Sequence, residues 1–132
     1  MTTPRVFLIR HGETEWSLSG RHTGNTDIPL TANGERRIRA TGRALVGHDR
    51  LIVPRNLAHV YVSPRKRAQR TLELLGLEWA GEKRVEVEVT EDVREWEYGD
   101  YEGSTSKEVA EKRREEGRGT WDIWRDGCPG GE

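Results

Sequence analysis

The segment that most constrains the fold is a short apolar run, residues 6–9, that ends in Arg10, His11 and Gly12. The run contains valine and isoleucine and is closed by a glycine, a pattern that predicts a buried strand followed by a tight loop. In open α/β sheets, ligands bind at the carboxyl ends of strands. Arg10 would offer a forked pair of donors to phosphoryl oxygens, and Gly12 would let the backbone approach them. The segment therefore predicts an α/β fold with a phosphate site in which His11 could attack phosphorus.

Helices and strands are predicted to alternate along the next part of the chain. Residues 12–30 lack a sustained periodicity and indicate a long loop, which in a compact domain is usually functional. Thr31 is a suitable N-cap for a helix over residues 33–46. A second strand is predicted over residues 58–62, so that strand, helix and strand follow one another as in an α/β domain.

Two further helices and a strand follow. Ser63 with Pro64 predicts a helix start, with an apolar stripe formed by Ala68, Leu72 and Leu75. Residues 85–89 alternate valine with glutamate and predict a half-buried edge strand. Thr105 and Glu108 form a capping box for a helix over residues 106–116, whose basic side chains we expect to form a solvated face.

Composition places the chain in the class of single-domain proteins with a small core. Its 132 residues are 33% hydrophobic and 34% charged, and the net charge of -1 creates no overall field toward nucleic acid or an anionic membrane. No apolar stretch approaches the roughly 20 residues of a membrane span. Cys128 is the only cysteine, so no intrachain disulfide can form, and we expect an unreactive thiol in a cytoplasmic protein.

Several segments agree in order and spacing with one known family. Residues 8–16, 23–24, 29–31, 34–35, 63–68 and 94–103 together resemble the histidine phosphatase superfamily, which contains cofactor-dependent phosphoglycerate mutases and many phosphatases. The resemblance covers nearly the whole chain. Residues 94–103, together with 121–128, look most like the sedoheptulose 1,7-bisphosphatase branch. The resemblance implies the N-terminal portion of a phosphoglycerate mutase-like, three-layer α/β/α fold.

The same resemblance implies roles for individual residues. His11 would be the nucleophile that becomes phosphorylated, and Glu95 the general acid that protonates the leaving alkoxide. Arg10 and Arg67 would clamp the phosphoryl group. The full set of substrate-binding residues implied by the resemblance is Arg10, Ser17, Thr23, Gly24 and Arg67.

Acidic residues around the predicted general acid allow a second interpretation. Besides Glu95, this stretch holds Glu97, Asp100 and Glu102, and oxygen-rich clusters suit magnesium or calcium. They could equally form an acidic strand and loop. The family resemblance implies a metal-free mechanism without a cofactor. We therefore expect neither a metal ion nor a cofactor at this site.

Relatives carry a second catalytic histidine within a motif on a later strand, and no segment of this chain matches that motif. His22, His48 and His59 do not match it. We expect residues 1–132 to form an incomplete histidine phosphatase domain without the C-terminal part. Such a chain should be a poor catalyst, marginally folded and prone to self-association through an open sheet edge.

The predicted function is hydrolysis of a small phosphorylated sugar through a phosphohistidine, and sedoheptulose 1,7-bisphosphate is one candidate substrate. Two alternatives stay open. The chain could be a catalytically impaired protein that binds phosphate compounds or scaffolds a partner. It could also be a phosphoglycerate mutase, which is disfavoured because residues 95–103 look like the bisphosphatase branch.

Overall fold

The structure, a computed structural model, describes residues 3–77, 79–80 and 83–132. These residues form a two-stranded parallel sheet and a two-stranded antiparallel sheet, together with several helices. The strands are β1 (Val60–Val62), β2 (Trp79–Ala80), β3 (Lys83–Arg84) and β4 (Val87–Val89). The helices of the described residues are α1 (Glu15–Ser19), α2 (Ala32–Leu45), α3 (Lys66–Leu75), α4 (Ser106–Glu115) and α5 (Ile123–Asp126), with single 3₁₀ turns at Pro54–Asn56, Glu91–Val93 and Gly99–Tyr101. Strand β1 pairs in parallel with β4, whereas β2 and β3 pair with each other in antiparallel orientation. The predicted strands near residues 58–62 and 85–89 are confirmed with shorter bounds.

Local capping accounts for the starts of α2 and α4. The hydroxyl of Thr31 accepts the N–H of Gly34 at 2.9 Å and caps α2. Thr105 and Glu108 satisfy each other's backbone N–H groups in the predicted capping box of α4. Both predicted helices are therefore confirmed, with ends within two residues of the expected ones.

Helix α3 begins later than predicted. The residue preceding it is Arg65, not Ser63, and the Arg65 side chain makes no capping hydrogen bond. A residue from another segment takes that role, because the carboxylate of Asp27 accepts the N–H of Lys66 at 2.7 Å. The first turn of α3 is thus tied to the loop that precedes α2.

One apolar core lies between α2, α3 and the sheet. Its buried members are Ile52, Val62, Leu72, Leu75 and Leu77. The predicted stripe on α3 faces this core, which confirms the orientation of the helix. Gly42 lets α2 approach α3 closely, because a Cβ there would lie 3.1 Å from the carbonyl oxygens of Leu74 and Leu75.

A second, smaller core lies under α4. Tyr101 and Val109 are almost fully buried, Cys128 is 7% exposed, and aromatic side chains surround them. Burial raises the pKa of the Cys128 thiol, in keeping with the unreactive thiol expected from the sequence. The predicted solvated face of α4 is wrong for Arg113, which is buried because its guanidinium donates to the carbonyl of Gly119 and to Asp126.

The predicted first strand is absent from the described residues. Residues 3–14 have no strand conformation, and Val6 and Leu8 are 80% and 93% exposed. Phe7, between them, packs against the larger core. A strand with apolar residues on both faces needs both faces covered and its edges paired. The described residues cover only the Phe7 side of this segment and form no strand pairing with it. The predicted loop over residues 12–30 also contains the short helix α1.

Every helix within the described ranges is too short or too polar to cross a lipid bilayer.

Candidate active site

A cavity of about 220 Å³ lies at the end of the extended N-terminal segment. Three parts of the chain meet there: the segment through His11, the stretch from α1 to Thr23, and residues 95–98. Its lining consists of Arg10, His11, Ser17, Gly20, Arg21, His22, Thr23, Glu95 and Tyr98. The structure thus brings together most of the site residues predicted from the sequence, whereas Gly24 and Arg67 do not line the cavity.

The imidazole of His11 is half-buried, and its orientation is set by the backbone. Its Nδ1 lies 2.7 Å from the carbonyl oxygen of Gly12, which can only accept, so Nδ1 carries the proton and Nε2 carries the lone pair. Burial lowers the pKa of His11, the positive charges of Arg67 and Arg10 lower it further, and the Gly12 hydrogen bond and Glu95 oppose this. His11 is therefore a neutral nitrogen nucleophile at neutral pH.

Helix α3 holds the backbone next to this histidine. The N–H of Gly12 donates to the hydroxyl oxygen of Thr71 at 3.0 Å, and that hydroxyl donates to the carbonyl of Arg67. Thr71 is 3% exposed, so this contact is shielded from water. The position of His11 consequently depends on a residue that is distant in sequence.

Arg67 is 1% exposed and holds the loop that precedes α2. Its guanidinium donates to the carbonyl oxygens of Thr26, Thr23 and Gly24 at 2.8, 3.1 and 2.9 Å. Because its charge also lowers the pKa of His11, Arg67 adds positive potential to the site. The structure places this guanidinium against the loop carbonyls and outside the cavity lining.

The same loop is held from the other side by Glu102. Its carboxylate accepts the N–H of Gly24 at 2.9 and 3.0 Å and the N–H of Thr26 at 3.1 Å. A side chain at residue 24 has no room, because a Cβ on Gly24 would lie 2.3 Å from the carbonyl oxygen of Trp96. Sequence reasoning considered Glu102 only as an acidic or metal-binding residue and missed this role.

Glu95 is exposed to solvent within the cavity. Its Oε1 accepts the N–H of Trp96 at 2.9 Å and the hydroxyl of Tyr98 at 3.4 Å. Burial, followed by the charge of Glu95, raises the pKa of Tyr98 to about 12, so the phenol stays protonated and can donate. These contacts orient a carboxyl group beside His11.

The hydroxyl groups of Ser17 and Thr23 line the cavity but are bonded to backbone atoms. Ser17 donates to the carbonyl of Thr14 at 2.9 Å and accepts its N–H, and Thr23 donates to the carbonyl of Arg21 at 3.2 Å. Either hydroxyl must rotate before it can donate to a phosphoryl oxygen.

Sequence reasoning missed the contribution of Arg21, His22 and Tyr98 to the cavity. Their position offered a signal, since Arg21 and His22 directly precede Thr23, and Tyr98 follows Glu95 by three residues. In the described part of the chain, His, Cys, Asp and Glu side chains form no group of three or more that could hold a metal ion.

We expect the imidazole of His11 to titrate below the ordinary value of 6.5. As the pH falls, His11 of the unfolded chain takes up its proton near pH 6.5, before His11 of the folded protein does. Lowering the pH through 6.5 and then through the pKa of His11 in the folded protein should therefore progressively reduce the free energy of unfolding. NMR titration of the ring carbon-bound protons measures the pKa, and His11→Gln identifies the resonance. Urea unfolding at pH 5 and pH 8 should show a weaker pH dependence in His11→Gln. A His11 pKa above 6.5 would contradict the expected burial of a neutral ring.

Comparisons with known proteins identify relatives of this chain. A yeast protein from Saccharomyces cerevisiae, named sedoheptulose 1,7-bisphosphatase, is 44% identical over 135 residues, which covers 98% of this chain and 50% of the relative. An acid phosphatase of Mycobacterium tuberculosis is 40% identical over 128 residues, covering 97% of this chain and 55% of the relative. A 2,3-bisphosphoglycerate-dependent phosphoglycerate mutase 2 of Gloeobacter violaceus is 37% identical, covering 96% and 55%. The chain spans about half the length of the curated relatives it matches.

Solved structures show the same fold. The product of open reading frame Rv3214 from Mycobacterium tuberculosis has a TM-score of 0.68 and 36% identity, with 92% of this chain and 54% of that chain covered. The protein TTHB049 from Thermus thermophilus has a TM-score of 0.64 and 31% identity, with 94% and 61% covered. These matches confirm the predicted α/β class. Since the model of the histidine phosphatase superfamily (branch 1) matches residues 6–132, the chain belongs to that superfamily.

Proposed function

We propose that this chain carries the nucleophile and the general acid of a phosphatase that hydrolyses phosphorylated sugars through a phosphohistidine. The observation that carries the proposal is the cavity itself, in which the neutral imidazole of His11 lies with the cation Arg10 and the carboxyl group of Glu95. A nucleophile, a cation for the phosphoryl oxygens and an acid for the leaving group are the parts that this reaction requires.

The reaction proceeds in two steps. In the first, Nε2 of His11 attacks phosphorus, the bond between phosphorus and the sugar oxygen breaks, and Glu95 transfers its proton to that oxygen. In the second, Glu95 takes a proton from water, whose oxygen attacks the phosphohistidine and releases inorganic phosphate and His11. Arg10 binds the phosphoryl oxygens in both steps, and Arg67 adds positive potential while holding the loop through Thr23.

A sugar bisphosphate is the substrate that we propose. The support comes from the yeast relative named sedoheptulose 1,7-bisphosphatase, which shares 44% of its aligned residues with this chain. We place the protein in the cytoplasm, where the lone buried Cys128 thiol would encounter reducing conditions.

A substrate panel tests this proposal. Release of inorganic phosphate is measured with sedoheptulose 1,7-bisphosphate, fructose 1,6-bisphosphate, 3-phosphoglycerate and para-nitrophenyl phosphate. We expect the highest kcat/KM for a sugar bisphosphate. Conversion of 3-phosphoglycerate to 2-phosphoglycerate would instead identify a mutase, and phosphate binding without turnover of any ester would identify a binding protein.

A further inference from the structure

His22 is the cavity residue for which the phosphatase proposal assigns no role. It lines the same cavity as His11 and is half-buried. Its Nδ1 lies 2.7 Å from the carbonyl oxygen of Ser104. Because a carbonyl can only accept, Nδ1 holds the proton, and Nε2 of the neutral ring carries a lone pair.

The ring of His22 is held on several sides. Its centroid lies 5.0 Å from that of Tyr98 and 5.2 Å from that of Trp121, with a near-perpendicular angle of 75° to the latter. The backbone N–H of His22 also donates to Ser104, and its carbonyl accepts the N–H of Gly103. A side chain fixed in this way loses little conformational entropy when a ligand binds.

Charge differs between the surroundings of the two histidines that line the cavity. Next to His22, the guanidinium of Arg21 donates to the carbonyl of Gly103 at 2.7 Å and pairs with Glu108 at 3.2 Å, which offsets its charge. Around His11, whose pKa is lowered chiefly by burial, the positive charges of Arg67 and Arg10 lower the pKa further. The phosphoryl group of a ligand therefore suits the surroundings of His11, and an uncharged polar group suits those of His22.

We propose that Nε2 of His22 accepts a hydrogen bond from a hydroxyl group of the ligand whose phosphoryl group lies at Arg10 and His11. His22 would thereby select polyhydroxylated phosphate esters over alkyl phosphates. This inference rests on the proposed function for the position of the phosphoryl group. A neutral hydrogen bond of this kind is worth about 3- to 10-fold in affinity.

The tautomer of His22 is the first test. Long-range nitrogen–proton NMR spectra of the full chain at pH 8 distinguish the protonated from the unprotonated ring nitrogen. We expect the proton on Nδ1 and the lone pair on Nε2. A proton on Nε2 would remove the acceptor and overturn the inference.

Ligand binding is the second test, with sorbitol 6-phosphate and n-hexyl phosphate as six-carbon esters that differ in their hydroxyl groups. Dissociation constants are measured by calorimetry at pH 8 for the wild type, His22→Phe and the control His59→Phe, whose histidine lies outside the cavity beside Glu88. We expect His22→Phe to weaken sorbitol 6-phosphate about 3- to 10-fold and to leave hexyl phosphate unchanged. His59→Phe should match the wild type with both esters.

Each outcome has a separate meaning. Unchanged hexyl phosphate binding shows that the His22→Phe cavity is intact, and His22→Gln, which keeps a side-chain acceptor, should recover part of the lost affinity. An equal loss for both esters, or no loss for either, would overturn the role of His22. Failure of the wild type to bind either ester, or undiminished hexyl phosphate binding in Arg10→Ala, would instead refute the proposed function.

Discussion

Replacing His11 by alanine should abolish phosphoryl incorporation and lower phosphate-ester hydrolysis by about 10⁴- to 10⁶-fold, the range observed when a covalent nucleophile is removed. His11 lines the cavity next to Arg10, and its pKa is lowered. Its Nε2 carries a lone pair because Nδ1 holds the proton. The measurement is acid-labile incorporation of labelled phosphate from an activated donor, followed by peptide mapping. The label should map to the peptide that contains His11.

The matched controls are His48→Ala and His59→Ala, because neither residue lines the cavity. Both variants should incorporate label as the wild type does. Label that persists in His11→Ala, or that maps to His22 or His59, would show that the nucleophile has been assigned to the wrong residue.

Replacing Glu95 by glutamine should lower kcat for a sugar phosphate by about 10²- to 10⁴-fold, the usual contribution of a positioned general acid. The KM should change little, because the proton is transferred in the transition state and contributes little to ground-state binding. Phosphorylation of His11 by para-nitrophenyl phosphate should be slowed far less, since the nitrophenolate leaving group needs no proton. A pre-steady-state burst of nitrophenolate that survives in Glu95→Gln therefore separates a lost acid from a damaged site.

The control for this experiment is Glu97→Gln, which makes the same chemical change two residues away and outside the cavity lining. It should retain nearly full turnover of both esters. A large loss in Glu97→Gln with none in Glu95→Gln would reverse the assignment of the acid.

Helix positions were largely predictable from the sequence because their signals are local. Thr31 caps α2 through an N–H three residues away, and Thr105 and Glu108 cap α4 over the same distance. The start of α3 was predicted less well, because its first N–H is bound by Asp27, which is 39 residues distant in the chain. Contacts of that separation leave no periodic pattern in the sequence.

In the candidate site as well, local features could be predicted and contacts between distant segments could not. The resemblance to a known family predicted His11 and Glu95, and the structure brings both to one cavity. No sequence pattern indicated that Arg67 and Glu102 bind the same loop, Arg67 through its carbonyl groups and Glu102 through its N–H groups. Nor did any pattern indicate that the carbonyl of Ser104 sets the tautomer of His22. Such roles depend on backbone groups whose direction is known only once distant segments have packed.

By itself, the sequence determined the caps of α2 and α4, the apolar stripe of α3 and the adjacency of Arg10 and His11, because each depends on neighbours a few residues away. Only the tertiary structure decided whether residues 6–9 form a strand, since a strand exists through hydrogen bonds to another segment and its apolar faces need cover. In the described residues, β4 pairs with β1, and Val6 and Leu8 stay exposed. The same tertiary contacts decided which of the four histidines of the chain share a cavity: His11 and His22.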